Sequence, residues 1–109
     1  MNADTQFLYL TTTGRKTGLP REIEIWFVQD DGRFYILAEH GHKAHWVQNI
    51  LINPRVHVRI GGQQWDGSAR VLDADRDAEA CANARQLAQE KYGWGDGLPV
   101  EIQRPNEFI

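Results

Sequence analysis

Two turn signals divide this chain into pairs of short alternating segments. Asp30-Asp31-Gly32 separates residues 21–29 from 33–38, and Gly61-Gly62 separates residues 55–60 from 63–72. Within these segments the side chains alternate between two faces, which is the period of a β-strand. Glycine supplies the positive φ that a tight hairpin turn requires. The pattern therefore predicts antiparallel hairpins.

Further elements complete the prediction. Two more strands and two helices are expected, at residues 7–12, 99–104, 44–53 and 73–92. Pro54 ends the first helix and Gly93 ends the second. The chain is thus mainly β (α+β), with about six antiparallel strands and two helices, and residues 1–109 form a single domain. We therefore predict a small antiparallel barrel with helices over its openings, because closure of the sheet removes exposed strand edges.

A glycine-bracketed loop joins the first two strands. It reads Thr11-Thr12-Thr13-Gly14-Arg15-Lys16-Thr17-Gly18. Arginine offers a planar fork for phosphate oxygens, lysine adds a compact charge, and threonine hydroxyls can donate to the same oxygens. The loop fits a phosphate-bearing cofactor, and the alternative is a solvated hairpin loop. A Walker loop is excluded because its Gly-x4-Gly-Lys spacing is missing.

Charge and cysteine content limit the partners and the compartment. The net charge of −3 argues against a general nucleic-acid-binding protein. The single cysteine, Cys81, rules out an internal disulfide and suits a reducing cytosol. Because the sequence has neither a long apolar run nor a signal-peptide pattern, we expect a cytoplasmic protein without a membrane span.

Few side chains suggest catalysis by the protein alone. His40, His42 and His45 could hold zinc, but loop histidines or contacts to a ligand anion are the alternatives, and we assign no metal site. No serine or cysteine lies in a nucleophile-like setting. Trp46 and Asn49 lie one helical turn apart and can reach the same ligand. This profile favours a bound cofactor that performs the reaction, such as hydride transfer.

A family resemblance emerges from the order of these motifs. Gly14-Arg15-Lys16-Thr17-Gly18 is followed by Trp26-Phe27, Ala38-x2-Gly41, Trp46-x2-Asn49 and Asn53-Pro54. The order resembles the deazaflavin-dependent nitroreductase family, among the flavin/deazaflavin oxidoreductases of the FMN-binding-like split β-barrel fold. The resemblance covers residues 8–72 and, more loosely, 73–103.

The resemblance implies coenzyme F420 as cofactor, or FMN as in sister groups. It implies hydride transfer from reduced F420 to a small flat acceptor, a quinone or nitro compound. The cofactor-binding residues implied are Gly14, Arg15, Lys16, Thr17, Ala38, Glu39, His40, Gly41, Trp46 and Asn49. Tyr92 and Trp94 would meet substrate, and His40 is a possible proton donor.

The resemblance also implies features beyond single site residues. Paired barrels, that is a homodimer, are expected from the family. Ala44 replaces the proline that commonly precedes the tryptophan, and we expect no helix before the first strand. The competing functions are an FMN-dependent reductase of the same fold and a non-catalytic flavin- or tetrapyrrole-binding protein.

Overall fold

The computed structural model of the protein describes residues 6–30 and 32–104. Over these residues the strands are β1 (Phe7–Thr13), β2 (Pro20–Trp26), β3 (Val28–Asp30), β4 (Arg33–Ala38), β5 (Arg55–Ile60), β6 (Gln63–Val71) and β7 (Leu98–Gln103). The helices are α1 (His45–Ile52) and α2 (Ala78–Tyr92), and a 3-10 turn, Gly41–Lys43, precedes α1. The predicted turn residue Asp31, and the expected lack of a helix within residues 1–5, lie outside the described residues.

The described strands form one antiparallel sheet in the order β2-β1-β5-β6-β7-β4-β3. β2 lies at one edge and ends at Trp26, whereas β3 lies at the other edge and begins at Val28. Because Phe27 alone joins them, the sheet has to curl until its two edges come together. The outcome is a curled half-barrel, and the mainly β prediction is confirmed.

The single strand predicted at 21–29 is wrong, and its division raises the strand count from about six to seven. Phe27 and Val28 are consecutive, and both are buried. They face opposite sides of the sheet, since Phe27 belongs to the barrel core and Val28 packs with the residues of α2. The alternation continues through Phe27, and what changes is the paired strand, which is β1 at Trp26 and β4 at Val28. Closure of the barrel, which is not a local property, therefore divides the predicted strand.

The hairpins form at the predicted turns. Asp30 pairs with Arg33 at the first turn, and Ile60 pairs with Gln63 at the second. Alternate residues of the strands fill the barrel interior. The completely buried members of this core are Leu8, Leu10, Ile36, Val47, Val58, Val100 and Ile102.

The first helix lies against the barrel interior through Val47 and Ile50, as predicted. The prediction that Leu51 shares this buried stripe is wrong, since 57% of Leu51 is exposed. Leu51 follows Ile50 by about 100° around the helix axis, which turns it away from the core at the last turn. Ala44 lies before the helix, at its N-cap, and not within it.

The second helix packs on the outside of β3 and β4 through its small residues Cys81, Ala84 and Ala88. It ends at Gly93 with a φ of 75°, as predicted. Its start is later than predicted, because Asp73 accepts hydrogen bonds from the N–H groups of Asp75 and Arg76 and holds a turn there. No helix among the described residues is long and apolar enough to cross a membrane.

Candidate functional site

The loop between β1 and β2 is closed by its own backbone. The N–H of Gly18 donates to the carbonyl of Gly14, and the N–H of Gly14 donates to the carbonyl of Leu19, both at 2.8 Å. A Cβ at Gly14 would lie 2.9 Å from Thr17 Oγ1, so glycine is needed there for packing. Gly18 has a φ of 73°, which glycine adopts without strain. The loop therefore has a defined conformation, held by its own hydrogen bonds.

Asn49 ties this loop to α1. Its side-chain oxygen accepts from the backbone N–H of Arg15 at 3.1 Å and from the Arg15 guanidinium at 2.9 Å. Its Nδ2 donates to Thr12 Oγ1 at 3.0 Å. Asn49 and Thr12 are both buried, so these bonds satisfy polar groups that water does not reach. Asn49 thereby fixes the position of the loop relative to the helix.

The Arg15 guanidinium also contacts the start of α1. It donates to Nδ1 of His45 at 3.2 Å, since a guanidinium has no acceptor. In this arrangement the next residue, Lys16, is exposed. No hydrogen bond or ion pair within the described residues uses the Lys16 ammonium, which leaves it available to a ligand.

A cavity of about 810 Å³ opens between this loop and α1. We call it the cationic cavity. Its lining comprises Thr12, Gly14, Arg15, Lys16, Thr17, Arg21, Ile23, His40, Lys43, Ala44, His45, Trp46 and Asn49. Four of these side chains carry a fixed positive charge, and none of the described lining residues is acidic. Such a concave positive surface attracts anions.

A second cavity, of about 580 Å³, lies beside the first. We call it the aromatic cavity. Its lining comprises Phe7, Glu24, Ile25, Trp26, Leu37, Glu39, His40, Ala44, Trp46 and Trp94. Four aromatic side chains give it flat apolar walls suited to a flat ring.

Three residues, His40, Ala44 and Trp46, line both cavities. They belong to the segment between β4 and the first turn of α1. The two cavities therefore adjoin, with the cationic surface on one side of this segment and the aromatic surface on the other. A molecule with an anionic tail and a flat ring matches this division.

The site residues implied by the resemblance divide into those that line a cavity and those that do not. Eight line one or both: Gly14, Arg15, Lys16, Thr17, Glu39, His40, Trp46 and Asn49. Ala38 and Gly41 line neither. Ala38 is buried, and its carbonyl oxygen would lie 2.8 Å from a Cβ placed at Gly97. Gly41 begins the 3-10 turn with a φ of 58°.

Only one of the two residues implied for substrate contact lines a large cavity. Trp94 lines the aromatic cavity, whereas Tyr92 lines neither large cavity. The Tyr92 ring stacks on Trp26, with centroids 4.3 Å apart. Its hydroxyl accepts from the N–H of Phe27 at 3.1 Å and lies 2.7 Å from the Phe27 carbonyl oxygen. Burial raises the pKa of Tyr92, and its observed contacts support the Trp26 wall from behind.

The three clustered histidines do not converge. His40 and His45 line the cationic cavity and His42 does not. Among the described residues, no group of three potential ligands is placed to hold a metal ion.

Sequence reasoning gave no site role to several lining residues. Arg21 and Lys43 add charge to the cationic cavity, and Phe7, Glu24 and Trp26 line the aromatic one. Proximity to the glycine loop in sequence could have indicated Arg21. Lys43 carried a weaker signal, its position in the polar segment after β4. The roles of Phe7 and Trp26 follow from the approach of distant segments, which no local pattern encodes.

Comparison with known proteins finds both related sequences and similar structures. The chain is 30% identical over 66 residues to an F420H(2)-dependent quinone reductase of Mycobacterium tuberculosis, a match covering 58% of this chain and 44% of that relative. The matched part thus spans less than half of the curated relative's length.

Two solved structures support the fold. A structure titled F420-H2 dependent reductase (FDR-A) superimposes with a TM-score of 0.69 at 28% identity, covering 89% of this chain and 92% of that one. The heme storage protein HutZ from Vibrio cholerae superimposes with a TM-score of 0.76 at 20% identity, covering 94% and 84%. The split β-barrel prediction is thereby confirmed.

The model of one protein family matches almost the whole chain, residues 2–105. Its description names reduced F420, the cofactor that the motif order implied, and a reductase activity. The resemblance to deazaflavin-dependent enzymes is therefore confirmed, and the chain belongs to the F420H(2)-dependent quinone reductase family.

Proposed function

We propose that this chain is a reductase that uses reduced coenzyme F420 and a small flat acceptor, a quinone or a nitro compound. The observation that carries the proposal is the contact between the cationic and aromatic cavities at His40, Ala44 and Trp46. The family description names both F420H2 and a quinone and supports this choice.

The residues of the cationic cavity fit the phosphate-bearing tail of the cofactor. The Lys16 ammonium and the exposed Arg21 guanidinium supply charge, and the Thr17 hydroxyl keeps its proton to donate. Thr17 Oγ1 already accepts from the N–H of Leu19, which holds the hydroxyl in the loop. Arg15, held by Asn49, is prearranged and adds charge without first losing side-chain freedom.

The ring of the cofactor would lie toward the shared segment, against Trp46 and His40. When bound, reduced F420 supplies a hydride and a proton, and a quinone that takes up both becomes a quinol. The protein's contribution is orientation, because the aromatic walls hold two flat rings close together and exclude water between them. Trp94 and Trp26 provide the walls on the acceptor side.

Assembly and location are part of the same proposal. β2 is an edge strand whose outer residue Trp26 is 43% exposed, which favours a partner subunit at this edge. The buried thiol of Cys81 suits a cytoplasmic location, where thiols stay reduced.

Titration of the purified protein with F420 and with FMN tests the proposal. We expect F420 to quench tryptophan fluorescence, since Trp46 lines both cavities, and reduced F420 to be oxidised when menadione is added. Binding of FMN with turnover, and no binding of F420, would establish the FMN-dependent alternative. A bound tetrapyrrole or flavin without turnover would establish the non-catalytic alternative.

A further inference from the structure

The residues that give charge to the aromatic cavity are acidic, whereas those of the adjoining cationic cavity are basic. Glu24, Glu39 and His40 are its ionisable residues, and no lysine or arginine is among the described residues that line it. The cationic cavity has the reverse composition. The boundary between the two signs lies at the segment that lines both cavities.

The two carboxylates have no ion-pair partner within the described part of the chain. Neither Glu24 nor Glu39 forms an ion pair or side-chain hydrogen bond with any other described residue. Other carboxylates of the sheet are paired. Glu22 contacts Arg59 at 3.2 Å, and the buried Glu101 contacts Arg70 at 3.4 Å. Exposed carboxylates are negatively charged at neutral pH, so the field of this pair acts on whatever occupies the aromatic cavity.

We propose that Glu24 and Glu39 determine the charge of the acceptor, so that the aromatic cavity takes neutral or cationic flat rings and rejects anionic ones. The inference rests on the proposed function for the identity of the site. The same field repels the anionic tail of the cofactor, so the tail enters the cationic cavity and the ring faces the acceptor. Glu24 and Glu39 act through charge alone and are specificity residues.

Three naphthoquinones of different charge test this proposal: menadione, its sulfonate, and a derivative bearing a trimethylammonium group. The variant is the double substitution Glu24→Gln with Glu39→Gln. Glu22→Gln is the control, because it removes one carboxylate charge from the strand that holds Glu24 but outside the cavity. All three quinones are assayed with the parent and with the variants at the same pH.

We expect kcat/KM for the sulfonate to rise roughly tenfold in the double variant and that for the cationic quinone to fall by a similar factor. Menadione should change less than twofold. Each ratio is taken against the parent with the same quinone, so differences in reduction potential cancel. The discrimination should shrink in 0.5 M salt, because salt screens exposed charges. Equal changes for all three quinones, or the same changes in Glu22→Gln, would overturn the proposal.

Binding without turnover separates this inference from the proposed function. The three quinones are titrated into cofactor-free protein in phosphate buffer, so that phosphate and not the sulfonate occupies the cationic cavity, and quenching of tryptophan fluorescence is measured, since Trp26, Trp46 and Trp94 line the aromatic cavity. We expect the sulfonate to bind weakest in the parent and to gain affinity in the double variant. If that pattern appears but F420 neither binds nor turns over, the proposed function fails and the charge selection stands. If F420 turnover occurs but the sulfonate binds as tightly as menadione, the charge selection fails alone.

Discussion

The side-chain oxygen of Asn49 accepts two hydrogen bonds from Arg15, at 3.1 Å from the backbone N–H and at 2.9 Å from the guanidinium. The two residues are 34 positions apart, so this pair fixes the glycine loop to α1. It also aligns Arg15 along the floor of the cationic cavity. The loop is thereby held ready for a ligand before one arrives.

Asn49→Ala should therefore reduce both stability and cofactor binding. The change leaves the hydroxyl of Thr12 and the N–H of Arg15 without their buried partner, at a cost of about 1–3 kcal/mol in the free energy of unfolding. Urea denaturation and F420 titration measure the two effects. Gln48→Ala is the control, because its bond to the His42 carbonyl is exposed and should contribute little. Equal losses in the two variants would contradict the anchoring role of Asn49.

Lys16→Ala should weaken binding without affecting stability. The ammonium is exposed at the mouth of the cationic cavity, and a charge-assisted contact to phosphate contributes about 1.5–3 kcal/mol, or tenfold and more in Kd. Arg76→Ala removes an exposed charge that lines neither cavity and should leave Kd unchanged. An unaltered Kd for Lys16→Ala would mean that the loop is only a turn.

Gly14→Ala tests whether the loop shape matters. The added methyl would lie 2.9 Å from Thr17 Oγ1 and 3.2 Å from the Leu19 carbonyl oxygen, so the loop must widen. We expect at least a tenfold weaker Kd for F420, on the scale of a displaced phosphate contact. At Gly62 the same methyl meets nothing within 4 Å, and Gly62→Ala should bind F420 like the parent. Parental affinity in Gly14→Ala would show that the observed loop geometry is not needed.

A surface histidine gives a pH-dependent contribution to stability. Asp66 and Gln64 accept from the two ring nitrogens of His57, at 2.7 and 3.0 Å, and raise its pKa above the usual value. A raised folded-state pKa stabilises the fold below the unfolded pKa, about 6.5, and this contribution is lost as pH rises through the folded value. Asp66→Ala should thus lower the urea midpoint by more at pH 6 than at pH 9. An equal decrease in the midpoint at the two pH values would show that the charged His57 ring does not account for the effect.

Much of the fold follows from local patterns. The hairpins, the loop 14–18 and the small-residue face of α2 depend on turn glycines and on side-chain period within a few residues. The break at Phe27 does not, because it is imposed where the two sheet edges meet.

The candidate site was predictable where its residues adjoin in sequence. Gly14, Arg15, Lys16 and Thr17 form one loop, and their shared position in the cationic cavity follows from that. The sequence indicated that Asn49 can reach a ligand with Trp46, but not that it is buried against Thr12 and Arg15. Such contacts are set by how the chain closes on itself.

His40 decides whether the protein supplies a proton as well as an orientation. It lines both cavities, whereas His42 lines neither, so His42→Ala is a matched control. Because reduced F420 carries both the hydride and a proton, we expect His40→Ala to lower kcat less than tenfold, close to the effect of the control. Removal of a true general acid costs about 10²–10⁴-fold. A hundredfold loss in kcat for His40→Ala, at unchanged Kd for F420, would therefore identify His40 as the acid that protonates the acceptor.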